Sequence, residues 1–438
     1  MSVAPTDSDV VHSSWRVRID WNRLTPIALS QAIGLACGVT GATIASHWIT
    51  PADYGAFGLF LACAPLGMWV VHAGLLKGVS RQWASSTDRP ALLREALTEG
   101  ARRLPWLALA TAVAACFLDR SHWLSSWLAL FVASTLLSCG SLAQIALQAV
   151  RRHWADLAVS AAGSISRTFL PLLLYIGLNA SVTSLQLGFV GHACLLAFTG
   201  GLLLKTLPAS RTSSPRILQL DTVYRGSLFL VLAIAAWSLS AATRWIAAGY
   251  FDGDTVGYFT FATNLAVIAT GMPGIIATQY AQPGLFAAPH VARENRLALA
   301  RRVDRIALVY TAVSIAAVFS FWIGTPWLVG SLIGRAYEPA LDYLASACGF
   351  GMAVQTAQFY HLLLLAGKRE RACGPVDLLT SALLIAGAIV SAALKGEDGF
   401  LIWLGTSPLT VWLITRPLAR RLLLQDIAAD SPKPGAGR

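Results

Sequence analysis

Twelve long apolar stretches divide this chain, and they constrain its fold more than any other feature of the sequence. A helix that crosses a bilayer needs roughly 20 mostly apolar residues, and most of the stretches reach that length. They lie at 24–46, 56–76, 104–119, 125–149, 157–178, 183–204, 228–250, 256–281, 306–330, 341–366, 375–394 and 399–416. The sequence therefore predicts an all-α polytopic membrane protein with about twelve transmembrane helices.

Composition supports a membrane setting and argues against a soluble enzyme. Only 13% of the 438 residues are charged, against about 25% in soluble globular domains. The formal net charge of +11 does not indicate nucleic-acid binding, because the basic residues fall in short clusters between apolar stretches. The seven cysteines form no CxxC pair and no zinc-type cluster with histidine, so we predict neither a metal site nor a disulfide framework.

Lysine and arginine set the predicted orientation. With the N-terminus in the cytoplasm, the segments on that side hold 28 basic residues and the loops on the other side hold 3. Such a bias over short loops is the positive-inside signal. We therefore predict a multi-pass protein of the bacterial inner (cell) membrane with both termini in the cytoplasm. The outer loops are short, which excludes a periplasmic catalytic domain.

The spans and the charge clusters predict two helical bundles and three cytoplasmic segments. The bundles, with six spans each, are 24–204 and 228–416. The cytoplasmic segments are an N-terminal segment at 1–23, a linker at 205–227 and a tail at 417–438.

The two halves resemble each other at a constant offset of 202 residues. In the turns before the second and the eighth spans, Gly55 pairs with Gly257 and Phe57 pairs with Phe259. Six spans separate the repeats, and this even number gives both the same orientation, related by an axis along the membrane normal. Parallel repeats of this kind build alternating-access transporters. We therefore expect the two bundles to rock about a site between them.

Three segments of the chain follow one another in the order of a known family. They are 50–55 (TPADYG), 241–259 (AATRWIAAGYFDGDTVGYF) and 332–337 (LIGRAY). Together they resemble the polysaccharide transporter family, the O-antigen-type oligosaccharide flippases of the multidrug/oligosaccharidyl-lipid/polysaccharide exporter superfamily. The chain has Thr243 where that family often has aspartate, and twelve predicted spans where many members have fourteen.

The resemblance implies a MATE-like fold of two parallel six-helix repeats. It also implies transport of an undecaprenyl-diphosphate-linked oligosaccharide across the inner membrane, for O-antigen or exopolysaccharide assembly, without enzymatic activity. The implied partners are the lipid-linked oligosaccharide, the bilayer and the polymerase machinery of polysaccharide assembly, and we expect no cofactor and no nucleic acid.

Other functions remain as alternatives. A multidrug exporter and a lipid II flippase belong to the same superfamily. The drug exporters tend to hold an acidic residue deep in a span, whereas Asp342 and Asp377 lie near span ends and the centre is basic. A membrane-embedded polysaccharide polymerase or ligase fits less well, because such enzymes resemble this chain in hydropathy but use a large periplasmic loop.

Arg167 and Arg244 are the predicted contacts for the diphosphate. An arginine within a span costs about 2.5–3.5 kcal/mol or more at the bilayer centre, so it usually faces a polar cavity. A guanidinium also binds phosphate through two parallel hydrogen bonds. Arg167 lies near the middle of the fifth span, and Arg244 lies in the outer third of the seventh with Ser240 one turn before it. The alternatives are a structural hydrogen bond for Arg167 and snorkelling to the outer interface for Arg244.

Other polar side chains within the spans are weaker candidates. Gln144, Gln148 and Asn264 are predicted to line the sugar path, with interhelical hydrogen bonding as an equal alternative. His192 and His361 are candidates for proton coupling, although a histidine in such a position is more often a packing residue. No catalytic residue and no metal ligand is predicted.

Thiol labelling tests the predicted topology. In a background without native cysteines, cysteines at Pro51, Asp252 and Glu397 should react with a membrane-impermeant reagent in intact cells, because these positions lie in outer loops. Cysteines at Ser85 and Pro215 should react only after the cells are opened. External labelling at Ser85 would contradict the orientation.

Overall fold

The computed structural model describes residues 21–72, 89–118, 123–149, 152–204, 237, 241–286, 293–328, 331–367 and 369–425. The predicted linker 205–227, nearly all of the N-terminal segment and the end of the tail lie outside the described residues. The described residues are almost entirely helical, as lipid requires, because a spanning helix satisfies its own backbone hydrogen bonds.

The first half of the chain forms seven described helices. They are α1 (Trp21–Trp48), α2 (Pro51–His72), α3 (Arg89–Arg102), α4 (Leu104–Leu118), α5 (Trp123–Ala149), α6 (His153–Gly177) and α7 (Val182–Leu204). Helix α3 is a short, basic helix on the predicted cytoplasmic side, and Leu92 and Ala96 on it are fully buried.

The second half contains α8 (241–250), α9 (Gly253–Ala266), α10 (Met272–Phe286), α11 (Arg293–Leu328), α12 (Ala340–Ala366), α13 (Glu370–Thr410) and α14 (Arg416–Leu424). A π-helical turn, Val267–Gly271, joins α9 to α10, and a second one, Val411–Thr415, joins α13 to α14. Helix α13 holds two predicted spans, separated at Gly396, whose φ of 61° is a conformation that favours glycine.

The all-α prediction is confirmed, and helix occupies each of the twelve predicted spans. Of the seventh span, only Trp237 and 241–250 are described. Within the described residues, seven stretches are long and apolar enough to cross a membrane, and one of them, Ala372–Leu424, covers two predicted spans. The fold is that of a polytopic helical membrane protein with two six-helix repeats.

The 202-residue offset holds at the level of single hydrogen bonds. The Thr50 Oγ1 atom accepts a hydrogen bond from the backbone N–H of Asp53 at 3.2 Å. At the corresponding place in the second half, Asp252 Oδ1 accepts one from the N–H of Thr255 at 2.8 Å. Each side chain caps the first turn of its helix, α2 or α9, and so fixes where that helix begins.

Helices α2 and α9 cross at their first turns, where the two repeats meet. A Cβ atom on Gly55 would lie 2.8 Å from the backbone nitrogen of Gly257, and a Cβ atom on Gly257 would overlap the carbonyl oxygen of Pro51. One turn further in, Gly58 packs against Thr260, its own partner at the 202-residue offset. The predicted symmetry mates are therefore direct neighbours, and small residues let the two backbones touch.

Each half has its own apolar core on either side of this crossing. In the first half, Phe57 and Phe60 pack edge-on against Phe189, at centroid distances of 6.5 and 5.8 Å. In the second half, Phe259 packs edge-on against Phe400 at 5.3 Å. The equivalent residues Phe57 and Phe259 thus each anchor the crossing to a separate bundle.

Hydrogen bonds also join the halves near the surface that we predict to be periplasmic, called the outer side below. The backbone N–H of Gly334 donates to Ser46 Oγ at 3.0 Å, and the Tyr337 hydroxyl donates to the Ile49 carbonyl at 3.2 Å. Together with the glycine crossing, these contacts close the structure on its outer side.

Substitution of Gly257 by alanine tests the crossing. A methyl group there has no room beside the Pro51 carbonyl, so we expect G257A to destabilise the closed protein by about 1–3 kcal/mol, the usual cost of overpacking. The matched control is G249A on α8, where a Cβ meets nothing within 4 Å. A thermal unfolding midpoint in detergent that falls in G257A but not in G249A would agree with this; equal midpoints would contradict it.

Candidate functional site

Arg244, on α8, reaches toward the junction of the two halves. Its Nη2 atom donates a hydrogen bond to Asn264 Oδ1 on α9 at 2.9 Å. Asn264 Nδ2 in turn donates to the hydroxyl of Tyr54 on α2 at 2.8 Å. Because Asn264 lies 11 residues after the start of α9 at Gly253, about 16 Å along the helix, Arg244 is tied inward and does not snorkel to the outer interface.

The guanidinium of Arg244 keeps unused hydrogen-bonding capacity. Its Nε atom is buried and has no hydrogen-bond partner within the described part of the chain. A buried donor without an acceptor is costly, so this one is suited to a ligand that brings acceptors.

Arg167, on α6, lies at mid-depth and has an exposed side chain. It stands ten residues before the outer end of α6 at Gly177, about 15 Å along the helix. Ile165, also exposed, lies about 200° around the same helix, so these two exposed positions face opposite ways. Arg167 makes no hydrogen bond or ion pair with any described residue, and it interacts electrostatically with Tyr54 and Arg244. It therefore faces the space between the halves.

The two arginines, one from each half, form the centre of the candidate site. No acidic side chain among the described residues forms an ion pair with either of them. Two like charges in a medium of low dielectric constant repel each other, and an anion placed between them removes that repulsion. A diphosphate carries several acceptor oxygens and fits two guanidinium groups.

Tyr54 completes the site and was not predicted from the sequence. Its ring packs edge-on against Phe261 at 5.9 Å and against Tyr337 at 6.0 Å. Its hydroxyl meets Asn264, so Tyr54 lies between the outer aromatic cluster and the two arginines. The residue falls within the turn motif 50–55, but its partner is 210 residues away, and no local pattern shows that pairing.

The two candidate histidines lie in different places, and neither touches the other. His192 is buried between α6 and α7, where its Nδ1 atom is 2.9 Å from Ser166 Oγ. That contact is typical of a packing histidine whose polar atom is satisfied. His361 Nδ1 lies 2.6 Å from Asp377 Oδ2, which joins α12 to the start of α13 within the second half.

The other predicted residues are only partly brought to the site. Gln144 Nε2 donates to Ser160 Oγ at 3.3 Å, a hydrogen bond between α5 and α6, which favours the interhelical alternative for this residue. Asn264 stands between Arg244 and Tyr54, as described above. The side chain of Gln148 and the whole of Ser240 lie outside the described residues.

Comparison with solved structures identifies the fold, whereas the sequence matches no family profile and no curated protein. The lipid II flippase MurJ, in an inward closed conformation, is similar with a TM-score of 0.64 and 10% identity, over 92% of this chain and 87% of that one. The MATE multidrug transporter DinF-BH gives 0.63 and 13% identity over 94% and 98%. An inward-facing multidrug resistance MATE transporter of the MOP superfamily gives 0.54 and 13% over 90% and 98%. The chain has the MATE/MurJ fold.

Direct binding tests the two arginines. We expect the purified protein to bind geranylgeranyl diphosphate, and R167A and R244A each to weaken binding roughly ten- to a hundredfold. That range corresponds to the loss of hydrogen bonds to a charged group, about 1.5–3 kcal/mol. The matched control is R335A, at an exposed arginine in the turn before α12. Unchanged affinity in both R167A and R244A would remove them from the site.

Proposed function

We propose that this protein flips an undecaprenyl-diphosphate-linked oligosaccharide from the cytoplasmic to the outer leaflet of the inner membrane, for O-antigen or exopolysaccharide assembly. The observation that carries the proposal is that Arg167 and Arg244, one from each half, influence each other electrostatically and form no ion pair with an acidic side chain in the described structure. Moving such a lipid requires a cationic, hydrated site that accepts the diphosphate while the acyl chain stays in the bilayer.

The fold supports this proposal. Parallel repeats with a site between them are the architecture of alternating-access transporters, and the solved structures with the same fold are named as flippases and multidrug transporters. At identities of 10–13% the likeness concerns the fold alone, so the choice of cargo rests on the charge of the site.

The order of steps that we propose begins from the closed outer side. With α2 and α9 in contact at their first turns, the cargo headgroup enters from the cytoplasmic side and meets Arg167 at mid-depth. Arg244, whose partner Asn264 lies at a similar depth, shares the diphosphate. Separation of the outer ends and closure of the inner ends exposes the headgroup to the other leaflet. The polymerase machinery of polysaccharide assembly is the proposed recipient of the flipped lipid.

An exporter of cationic drugs fits the site less well. Two guanidinium groups without counter-ions repel a cation. The acidic side chains that the structure shows near the inner end of the second half are already engaged: Asp377 contacts His361, and Asp304 pairs with Arg416 through hydrogen bonds of 3.0 and 3.1 Å.

A lipid II flippase remains the second candidate, because its cargo carries the same undecaprenyl diphosphate. The two candidates differ only in the sugar, and the residues proposed here for the headgroup do not distinguish them. A competition between the two lipid-linked glycans for the reconstituted protein decides this point.

Reconstitution tests the function. In proteoliposomes, the protein should move undecaprenyl-diphosphate-linked oligosaccharide between leaflets, measured by the access of an added lectin or glycosidase to the sugar. R167A and R244A should abolish flipping at normal protein level, while R335A should retain it. R167K should keep part of the activity, because lysine keeps the charge but loses the two-pronged hydrogen bonding. Full flipping by both alanine variants, or export of a cationic dye without lipid flipping, would contradict the proposal.

A further inference from the structure

The contacts that close the outer side are of two kinds. The glycine crossing, the Gly334–Ser46 bond and the Tyr337–Ile49 bond use backbone atoms and involve neither Arg167 nor Arg244. The Tyr54–Asn264 bond joins α2 to α9 at greater depth than the glycine crossing, and Asn264 also accepts a hydrogen bond from Arg244. Asn264 therefore belongs both to the anion site and to the contacts that close the outer side.

A bound anion and Asn264 compete for the Nη2 atom of Arg244, although its Nε atom is available to the anion in either case. In the structure, the Nη2 atom of Arg244 donates a hydrogen bond to the neutral amide oxygen of Asn264. Its Nε atom has no partner among the described residues. Hydrogen bonds between a guanidinium and an anionic oxygen are roughly twice as strong as those to a neutral acceptor. A diphosphate next to Arg167 therefore attracts Arg244 away from Asn264.

We propose that Tyr54, Asn264 and Arg244 form a latch on the outer side, and that an isoprenoid diphosphate opens it by taking Arg244. The inference rests on the proposed function, since it assumes the same class of cargo. It adds that binding of the cargo triggers the opening of the outer side. Once Arg244 leaves, Asn264 loses the contact that orients its amide toward Tyr54, and the deepest hydrogen bond of the latch weakens. The backbone contacts nearer the outer surface then remain.

The latch obeys the reciprocity of linked equilibria. A ligand shifts a two-state equilibrium only by its difference in affinity for the two states. If diphosphate favours the open outer side by some factor, opening the latch by mutation must raise the affinity for diphosphate by the same factor. A residue that only stabilises the fold does not show this behaviour, because its loss leaves affinity unchanged or weaker.

A disulfide across the crossing reports the closed state. A Cβ on Gly253 would lie 3.5 Å from the Cβ of Ala52, within the range of about 3.5–4.5 Å found in disulfides. In a background without native cysteines, A52C/G253C in nanodiscs should cross-link rapidly under mild oxidation. Geranylgeranyl diphosphate should slow cross-linking, and geranylgeraniol, which has the same tail and no phosphate, should not.

Y54F is the decisive variant, because it removes only the hydroxyl and keeps the ring against Phe261 and Tyr337. Without ligand, it should cross-link about two- to tenfold more slowly. This is the change in the closed population expected from the loss of one neutral hydrogen bond. It should lose most of the response to diphosphate and bind diphosphate more tightly by a similar factor. Y54F with the wild-type rate and the wild-type response would overturn the latch.

Two further variants separate the latch from general loosening. Y337F removes another hydrogen bond between the halves at the same side, so it should slow cross-linking but keep the response to diphosphate. N264D places a carboxylate beside Arg244, so it should strengthen the latch, weaken diphosphate binding and remove the response. Loss of the response in Y337F, or a normal response in N264D, would contradict the proposal.

The outcome also separates this inference from the proposed function. If the diphosphate binds in a manner that depends on Arg167 but leaves the cross-linking rate unchanged, the latch is wrong and the flippase proposal stands. If the wild-type protein binds no diphosphate, both are wrong.

Discussion

The close approach of α2 and α9 is the contact on which the rest of the structure depends. Gly55 and Gly257 bring two backbones together, and no other residue type permits this distance. Because lipid tails are as apolar as leucine, association of helices in a membrane depends on such packing and on hydrogen bonds. The crossing sets the position of the two bundles relative to each other, and thereby the separation of Arg167 and Arg244, which lie in different halves.

The space between the halves explains why two costly charges persist within the spans. An isolated arginine in a span is tolerated where it faces a cavity or a partner. Here Arg167 is exposed at mid-depth, and Arg244 has only an amide as its described partner. The arrangement is poor for stability, because the two groups repel each other, and good for an anion, because the groups that bind it are in place beforehand. Charge without a counter-ion among the described residues is the property on which the proposed phosphate-bearing cargo rests.

Hydropathy alone was enough to predict the spanning helices, and it failed for the charged helix α3 and where a helix continues beyond the apolar stretch. The span predicted at 306–330 belongs to α11, which begins at Arg293, because arginines on the predicted cytoplasmic side extend a helix without crossing lipid. The span predicted at 256–281 begins earlier, at Gly253, because Asp252 caps it. The site was harder to predict: both arginines stand out in sequence, but the Tyr54–Asn264 bond joins residues 210 positions apart. Gln144 was predicted to line the sugar path, with interhelical hydrogen bonding as an equal alternative. In the structure its amide donates a hydrogen bond to Ser160 on the next helix, and hydropathy cannot show whether an amide contacts another helix or a substrate.

The repeats are equivalent in backbone and different in chemistry, and the difference lies at the site. At the 202-residue offset, Arg244 corresponds to Ala42, Asn264 to Ala62 and Tyr54 to Val256. Each residue of the hydrogen-bonded series Arg244–Asn264–Tyr54, which joins the halves, therefore has an apolar counterpart in the other repeat. A symmetric crossing gives two bundles that can separate about a common axis, but symmetry alone cannot make that separation depend on cargo. In the proposed mechanism, Tyr54 from the first half and Asn264 and Arg244 from the second half supply this dependence, because they connect the closed crossing to a charge that the proposed diphosphate also contacts.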